Sequence, residues 1–317
     1  MKYFSFSNKV HSGALIIILC VSFLFICNFD SSTSRILDEI FEYGHLPLFG
    51  VIALGFAIIF NRNQTQATLK PYLFAWIITM ALGIITEVIQ IITPGRFFEI
   101  RDILFDAIGA GCFLTLAYPF PDNGIQIKRI FRTAALAVII AGTIPIFLAV
   151  GDEITMRNNF PLIGSFESRL EMDRWGGKDS EISRSALHST HGEYSLKATL
   201  LPGEYPGISL NYFKRDWRGY DRLSFDVFLA GNNPLRITVR IHDKLHNDEY
   251  EDRFNRGFVL DPGSNTVVID LEEVMKAPEG RKMDMASIVN ICIFSYNLAE
   301  PRTLYLDNLR LGKSFIK

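Results

Sequence analysis

The stretch TEVIQIITPGRFFEIRDILFDAIGAG, residues 86–111, decides the fold. It holds two apolar runs parted by Pro94-Gly95, where a residue without an N–H meets one without a side chain and the chain reverses. The runs extend to about 71–92 and 103–119. Each approaches the ~20 residues that cross ~30 Å of hydrocarbon as a helix. A hairpin of two membrane helices follows, with acidic and amide groups near its turn. Glu87 and Gln90 share a face at i,i+3, as do Asp102 and Asp106 at i,i+4. A rise of about 1.5 Å per residue sets Glu87 and Asp106 at similar depth on adjacent antiparallel helices.

Outward from this hairpin, further apolar runs lie at about 12–29, 46–60 and 133–150, so residues 1–150 read as a five-span all-α bundle. The runs at 46–60 and 103–119 are short, and a re-entrant segment is the alternative there. Lys2 and Lys9 before the first run would also suit a signal peptide, but no small-x-small cleavage site follows Cys27, which favours a retained anchor. Lys/Arg in the N-terminal tail, in the second loop (Arg62, Lys70) and in the fourth (Lys128, Arg129, Arg132) place those segments in the cytoplasm. Asp30, Asp38, Glu39 and Glu42 mark the first loop as external. An odd number of spans then exports everything after Val150.

Composition agrees. The 317 residues are 49% hydrophobic and 21% charged, but residues 1–150 hold only ten Lys+Arg and nine Asp+Glu, against 22 and 25 in the rest. Two domains in two solvents result, and a single soluble enzyme is excluded. A formal net charge of -2, with neither half basic, argues against nucleic acid as a partner. Four cysteines without CxxC spacing form neither a disulfide framework nor a zinc motif.

Carboxylates in hydrocarbon are costly and turn inward to pair. His45, at the outer end of the second span, can join Glu87, Gln90, Asp102 and Asp106, with Arg96 and Arg101 as available cations. Three readings stay open: a packing network pinned by salt bridges, a site for a polar head group or external ligand, and acid–base catalysis by Glu87 with His45. The lack of an accompanying nucleophile or metal-ligand motif favours a binding protein over an enzyme.

These residues carry a resemblance. EYGHLPLFGVIALGFA (42–57) followed by TEVIQIITPGRFFEIRDILFDAIGAG is similar to the VanZ family, whose pattern is a His opening one span, then E-x-x-Q, a G-R turn and D-x-x-x-N-x-x-G. The match covers roughly 38–118 and falls on His45, Glu87, Gln90, Arg96, Asp102 and Gly109. Asp106 stands where the family usually has Asn, which adds a second buried carboxylate. The resemblance implies a membrane protein of the cell envelope, in contact with lipid. Glycopeptide resistance, from which the family takes its name, is implied only loosely.

After a linker at 151–165, residues 166–317 have strand grammar. YSLKATLL, GISLNYF, RLSFDVFL, LRITVRIHD, NTVVIDL, IVNICIF and TLYLDNLRL are short β-branched and aromatic runs divided by LPGEYPG, AGNNP and DPGSN turns, the spacing of an all-β sandwich. Helical periodicity is nearly absent. The order of FESRLEMDRW, THGEYSLKATL, EYPGISL, DWRGYDRLSFDVF and LYLDNLRL resembles the galactose-binding-like jelly roll of carbohydrate-binding modules, and the likeness implies a binding domain that takes a glycan or polysaccharide, placed outside the membrane by the odd span count.

Flat rings for the C–H face of a pyranose and charged groups for its hydroxyls make Trp175, Tyr205, Trp217, Tyr220, Arg236, Arg240, His242 and Asp243 the candidates. Trp217 and Tyr220 flank a strand start, where an aromatic also serves as an anchor. His188 and His191 stand at i,i+3, but HSTHG reads as a turn rather than a ligand pair. Similar sandwiches often hold a structural calcium between an early Glu and a late Asp, which implies Glu167 and Asp307; a plain hydrogen-bonding role is the alternative. No other cofactor is expected. Residues 160–317 should fold alone and bind a saccharide weakly on one sheet face.

Overall fold

The computed structural model describes residues 11–20, 34–62, 68–91, 99–121 and 124–313. They fall into two compact units that divide at Leu148/Ala149, with Arg35 counted to the second.

The first unit is helical: α1 (His11–Cys20), α2 (Arg35–Tyr43), α3 (His45–Phe60), α4 (Lys70–Ile91), α5 (Ile100–Ala117) and the greater part of α6 (Ile125–Asn159). Small residues set its packing. A Cβ on Gly109 of α5 would lie 2.0 Å from the Leu46 carbonyl oxygen, and one on Gly50 of α3 would lie 2.4 Å from the Phe113 ring. Only glycine lets α3 and α5 run this close, which brings His45 beside α5. Phe49, Ile52, Ala53, Ala75 and Ala110 are buried between the helices. The outside is apolar as well: Phe74, Ile77, Ile85 and Val88 of α4 and Ile130, Phe131 and Phe147 of α6 are all exposed. In water such a surface would be a liability; in lipid it is the expected exterior.

A helix lies beneath each of the five apolar runs, and the described residues show a helical, membrane-type unit without establishing the count of five spans. Among the described residues, two helical stretches, Lys70–Ile89 and Ile125–Asn159, are long and apolar enough to cross a membrane, and α2 with α3, bent by 48° at their junction, would make a third. The reasons are physical. The 16 residues of α3 rise about 24 Å, short of the ~30 Å core, and α5 carries Arg101, Asp102 and Asp106 in its first two turns. Half of the run at 12–29 and the Pro94-Gly95 break lie outside the described residues.

The second unit holds two antiparallel sheets. Its strands are β1 (Leu162–Gly164), β2 (Trp175–Lys178), β3 (Ser180–Ser185), β4 (Ser195–Leu200), β5 (Gly207–Leu210), β6 (Arg222–Leu229), β7 (Leu235–Asp243), β8 (Phe254–Leu260), β9 (Gly263–Asp270), β10 (Ile288–Phe294) and β11 (Arg302–Gly312). One sheet runs β3-β4-β11-β6-β9 with β1 added on β11; the other runs β2-β5-β10-β7-β8. Period-two alternation buries Leu223, Phe225, Val227 and Leu229 of β6 against Ile237, Val239 and Ile241 of β7, and Trp217 fills the same core. The segment 151–165 is not a linker: α6 continues to Asn159, Met156 and Phe160 pack on the core, and β1 pairs with β11. A short α7 (Leu271–Lys276), capped by Asp270, and two 3-10 turns, Arg169–Arg174 and Tyr250–Asp252, interrupt the strands.

Candidate functional site

Alternation that buries one face of the five-stranded sheet presents the other, and register turns that face into rows. Ser209, Cys292, Arg240 and Asn255 lie side by side across β5, β10, β7 and β8; Gly207, Phe294 and Thr238 form the row beside them. Gly207 is required there, because a Cβ would come within 2.5 Å of the Phe294 side chain. Together with the loops around Tyr205, Tyr250 and Tyr296, these rows line a groove of about 760 Å³.

Its chemistry is amphipathic. Tyr296 and Tyr250 are about three-fifths exposed, and Tyr205, 39% exposed, stands 5.3 Å from the Tyr296 ring and 6.0 Å from the Phe294 ring, centroid to centroid. The Arg240 guanidinium lies 4.9 Å from the Phe294 centroid, and its Nε donates to Asn255 Oδ1 at 3.2 Å. Lys178 and Arg253 also line the groove, with Asp248 as the one carboxylate among the lining residues. Two buried donors, Arg253 Nε and Asn255 Nδ2, have no hydrogen-bond partner. Burial holds the His242 imidazole below its ordinary value, so it is neutral at pH 7. Burial also pushes the Cys292 thiol up, toward its protonated form.

The sandwich candidates therefore separate. Tyr205, Arg240 and His242 meet in the groove. Trp175 and Trp217 do not: at 5% and 0% exposed they are core residues with no ring face to offer. Tyr220 packs edge-on to Phe160, 5.5 Å away, outside the groove. Asp243 is buried in an ion pair with Arg281, which also holds Asp252. Arg236 is exposed but does not line the groove. Sequence reading missed Tyr250, Tyr296, Phe294, Arg253 and Asn255; alternation in IVNICIF would have put Phe294 on a face, but its neighbours on β5 and β7 depend on register.

His188 and His191 share no ligand geometry. The His188 ring stacks on Phe228 with centroids 3.5 Å apart, and His191 uses its backbone N–H. Glu167 and Asp307 brace a single turn: Glu167 Oε1 accepts from the N–H groups of Glu193 and Tyr194, both at 2.9 Å, and Asp307 Oδ2 from those of Thr190 and His191, at 2.6 and 2.7 Å.

A second cluster lies in the helical unit. His45 Nδ1 is 3.0 Å from Asp106 Oδ1, its Nε2 is 3.6 Å from Asp102 Oδ2, and Glu87 Oε2 accepts from the Glu99 N–H at 3.1 Å. Glu87 and Asp106 are wholly buried and His45 nearly so. One ligand atom each from His45, Glu87 and Asp102 falls within 4.8 Å of the others. Arg101, expected as a counter-ion, instead pairs with Glu42 at 2.6 Å and Glu99 at 3.2 Å. Arg96 and the Gln90 side chain lie outside the described residues.

Similar solved structures match the β-sandwich half. They include an exo-beta-agarase (14% identity, TM-score 0.42, covering 49% of this chain and 25% of that one). A family 11 carbohydrate-binding module from Clostridium thermocellum, in complex with a beta-1,3-1,4-mixed-linked tetrasaccharide, matches at 16% identity and TM-score 0.40, covering 49% and 96%. A xylan-binding domain from Paenibacillus barcinonensis matches at 17% and 0.34, again covering 49% and 96%. No curated protein matches the chain significantly. Residues 4–121 match the VanZ/LLP1 family model, so the chain carries a VanZ/LLP1 domain in its helical half.

Proposed function

We infer that this chain is an integral protein of a bacterial cytoplasmic membrane whose exported jelly-roll sandwich binds an envelope polysaccharide carrying acidic groups. The observation that carries the reading is the pair of unpartnered donors, Arg253 Nε and Asn255 Nδ2, in a groove between exposed tyrosines. An unsatisfied buried donor costs about 1–3 kcal/mol, and a ligand oxygen removes that cost. Tyrosine rings suit the C–H faces of pyranoses, and Lys178, Arg240 and Arg253 against Asp248 favour carboxylate or phosphate substituents. Binding is weak, because a shallow groove must immobilise flexible hydroxyls and side chains.

The full chain in nanodiscs, applied to an array of neutral and acidic glycans, tests this. Acidic polysaccharides should be retained, and salt should weaken them. No retention of any glycan by well-folded protein, or unchanged retention by Tyr205→Ala/Tyr296→Ala, would refute it. Five spans with the N-terminus inside and a role in envelope maintenance belong to the same proposal. A structural calcium at Glu167 and Asp307 would tie the turn that hydrogen bonds already tie. A Tm lowered by EDTA supports the ion; an unchanged Tm leaves hydrogen bonds as the whole brace.

A second reading, a membrane-embedded enzyme or handler of lipid-linked glycan, is favoured by one observation: His45, Glu87 and Asp102 converge inside the helical unit.

A further inference from the structure

We propose that His45, Glu87 and Asp102 form a binding site for a first-row divalent cation, zinc or manganese, with Asp106 orienting the histidine from behind. The argument begins with the tautomer. Asp106 Oδ1 is 3.0 Å from His45 Nδ1, and in the neutral ring with its proton on Nδ1 the carboxylate accepts that proton and the Nε2 lone pair faces the other two residues. This carboxylate–histidine arrangement fixes the ring and raises the basicity of a ligand nitrogen. Stacking of Phe49 on the imidazole, 5.8 Å between centroids and 4° from parallel, holds the ring in the same plane.

The distances suit an ion better than direct contact. His45 Nε2 and Asp102 Oδ2 are 3.6 Å apart, too long for a good hydrogen bond. Two ligands on one tetrahedral ion with bonds of about 2.1 Å stand about 3.4 Å apart, so little movement is needed. Glu87 is wholly buried, and its Oε1 has no hydrogen-bond partner; Asp102 Oδ1 has none either. Among the described residues no Lys or Arg pairs with Glu87, Asp102 or Asp106. The described Lys and Arg side chains leave three carboxylates packed around one imidazole in an apolar bundle, and a divalent cation would supply positive charge where it is most needed. Nitrogen with two carboxylate oxygens suits borderline and moderately hard ions, and three protein ligands leave a position open for a further oxygen.

The backbone is built for this approach. A Cβ on Gly83 would come within 2.5 Å of Asp106 Oδ2, so glycine there admits the Asp106 carboxylate between α4 and α5.

The full chain, purified in detergent, stripped with a chelator and reloaded separately with zinc and manganese, provides the test. One equivalent of one of these metals per chain by elemental mass spectrometry supports the site. Glu87→Gln and His45→Ala should lose it, Asp106→Asn should weaken it about tenfold or more, and Glu42→Gln should keep it. Should the first two variants fail to fold, cobalt-loaded wild type decides: visible d–d absorption of low-symmetry nitrogen and oxygen ligation is expected. Wild type that takes up neither zinc nor manganese, featureless cobalt protein, or folded Glu87→Gln and His45→Ala chains that bind as wild type does would each overturn the proposal.

Discussion

Trp217 and Tyr296 show how a residue's type and its role part company. Both are aromatics near strand ends, and sequence alone offered Trp217 as a sugar-platform candidate, with an anchoring role as its alternative, and passed over Tyr296. Burial reverses this: Trp217 is 0% exposed, with its Nε1 donating to the Lys214 carbonyl at 3.1 Å, and Tyr296 is 61% exposed at the groove. Trp217→Ala should therefore cost about 3–5 kcal/mol of stability, seen as a lowered Tm, because the cavity cannot collapse. Any loss of glycan binding would follow from unfolding. Tyr296→Ala should leave the Tm within about 1 °C and weaken binding roughly tenfold, from the loss of one stacking face. Calorimetry with thermal melts separates the two, and the opposite pattern would return Trp217 to the site. Tyr205 and Arg240 were legible because they flank or alternate within strands. Arg253 and Asn255 were not, since polar residues in strands are common and a missing partner is visible only in three dimensions.

Elements were legible where a single period rules them. The 166–317 strands follow alternation and their turns follow Pro and Gly, but 151–159 continues as helix, through Gly151, because no proline falls between Val150 and Pro161. Pairing of distant elements was not legible, and two cases carry predictions. Arg281 joins β7 to the turn before β8: it donates to Asp243 at 2.7 and 2.8 Å and to Asp252 at 2.5 and 2.9 Å. Those hydrogen bonds hold Asp252 down to about 2. A depressed folded pKa means this stabilisation is present above about pH 4 and is lost as pH falls through about 2. Arg281→Met should destabilise the native chain at pH 7 by about 3 kcal/mol, since two buried carboxylates lose their cation, and should flatten the acid limb of a stability–pH profile. An unchanged acid limb would contradict this. In the helical unit, Gly109→Ala should cost about 3 kcal/mol or more, because the Leu46 carbonyl occupies the space of the new methyl. Detergent-stable wild type beside an aggregating variant is the expected readout, and equal melting would show that α3 and α5 can separate freely.

At the scale of the molecule, composition changes sharply near Val150, because solvent dictates composition over long stretches. It does not settle the number of long spans, because apolar runs do not report how helices bend or how short they stop. Topology is testable directly. Alkaline phosphatase fused after residue 165 should be active, and activity of a cytoplasmic reporter there instead would invert the arrangement. Residues 149–317 should fold alone, with Met156 and Phe160 retained on the core; circular dichroism and a cooperative melt check this. The central claim, that the face of the five-stranded sheet is the binding surface, is tested most directly by a crystal structure of the chain with a retained oligosaccharide. Sugar density lying against Tyr205 and Tyr296, with oxygens on Arg253 Nε and Asn255 Nδ2, is the expected result. Sugar bound on the other sheet or only at the loops, with both donors still unpartnered, would contradict it.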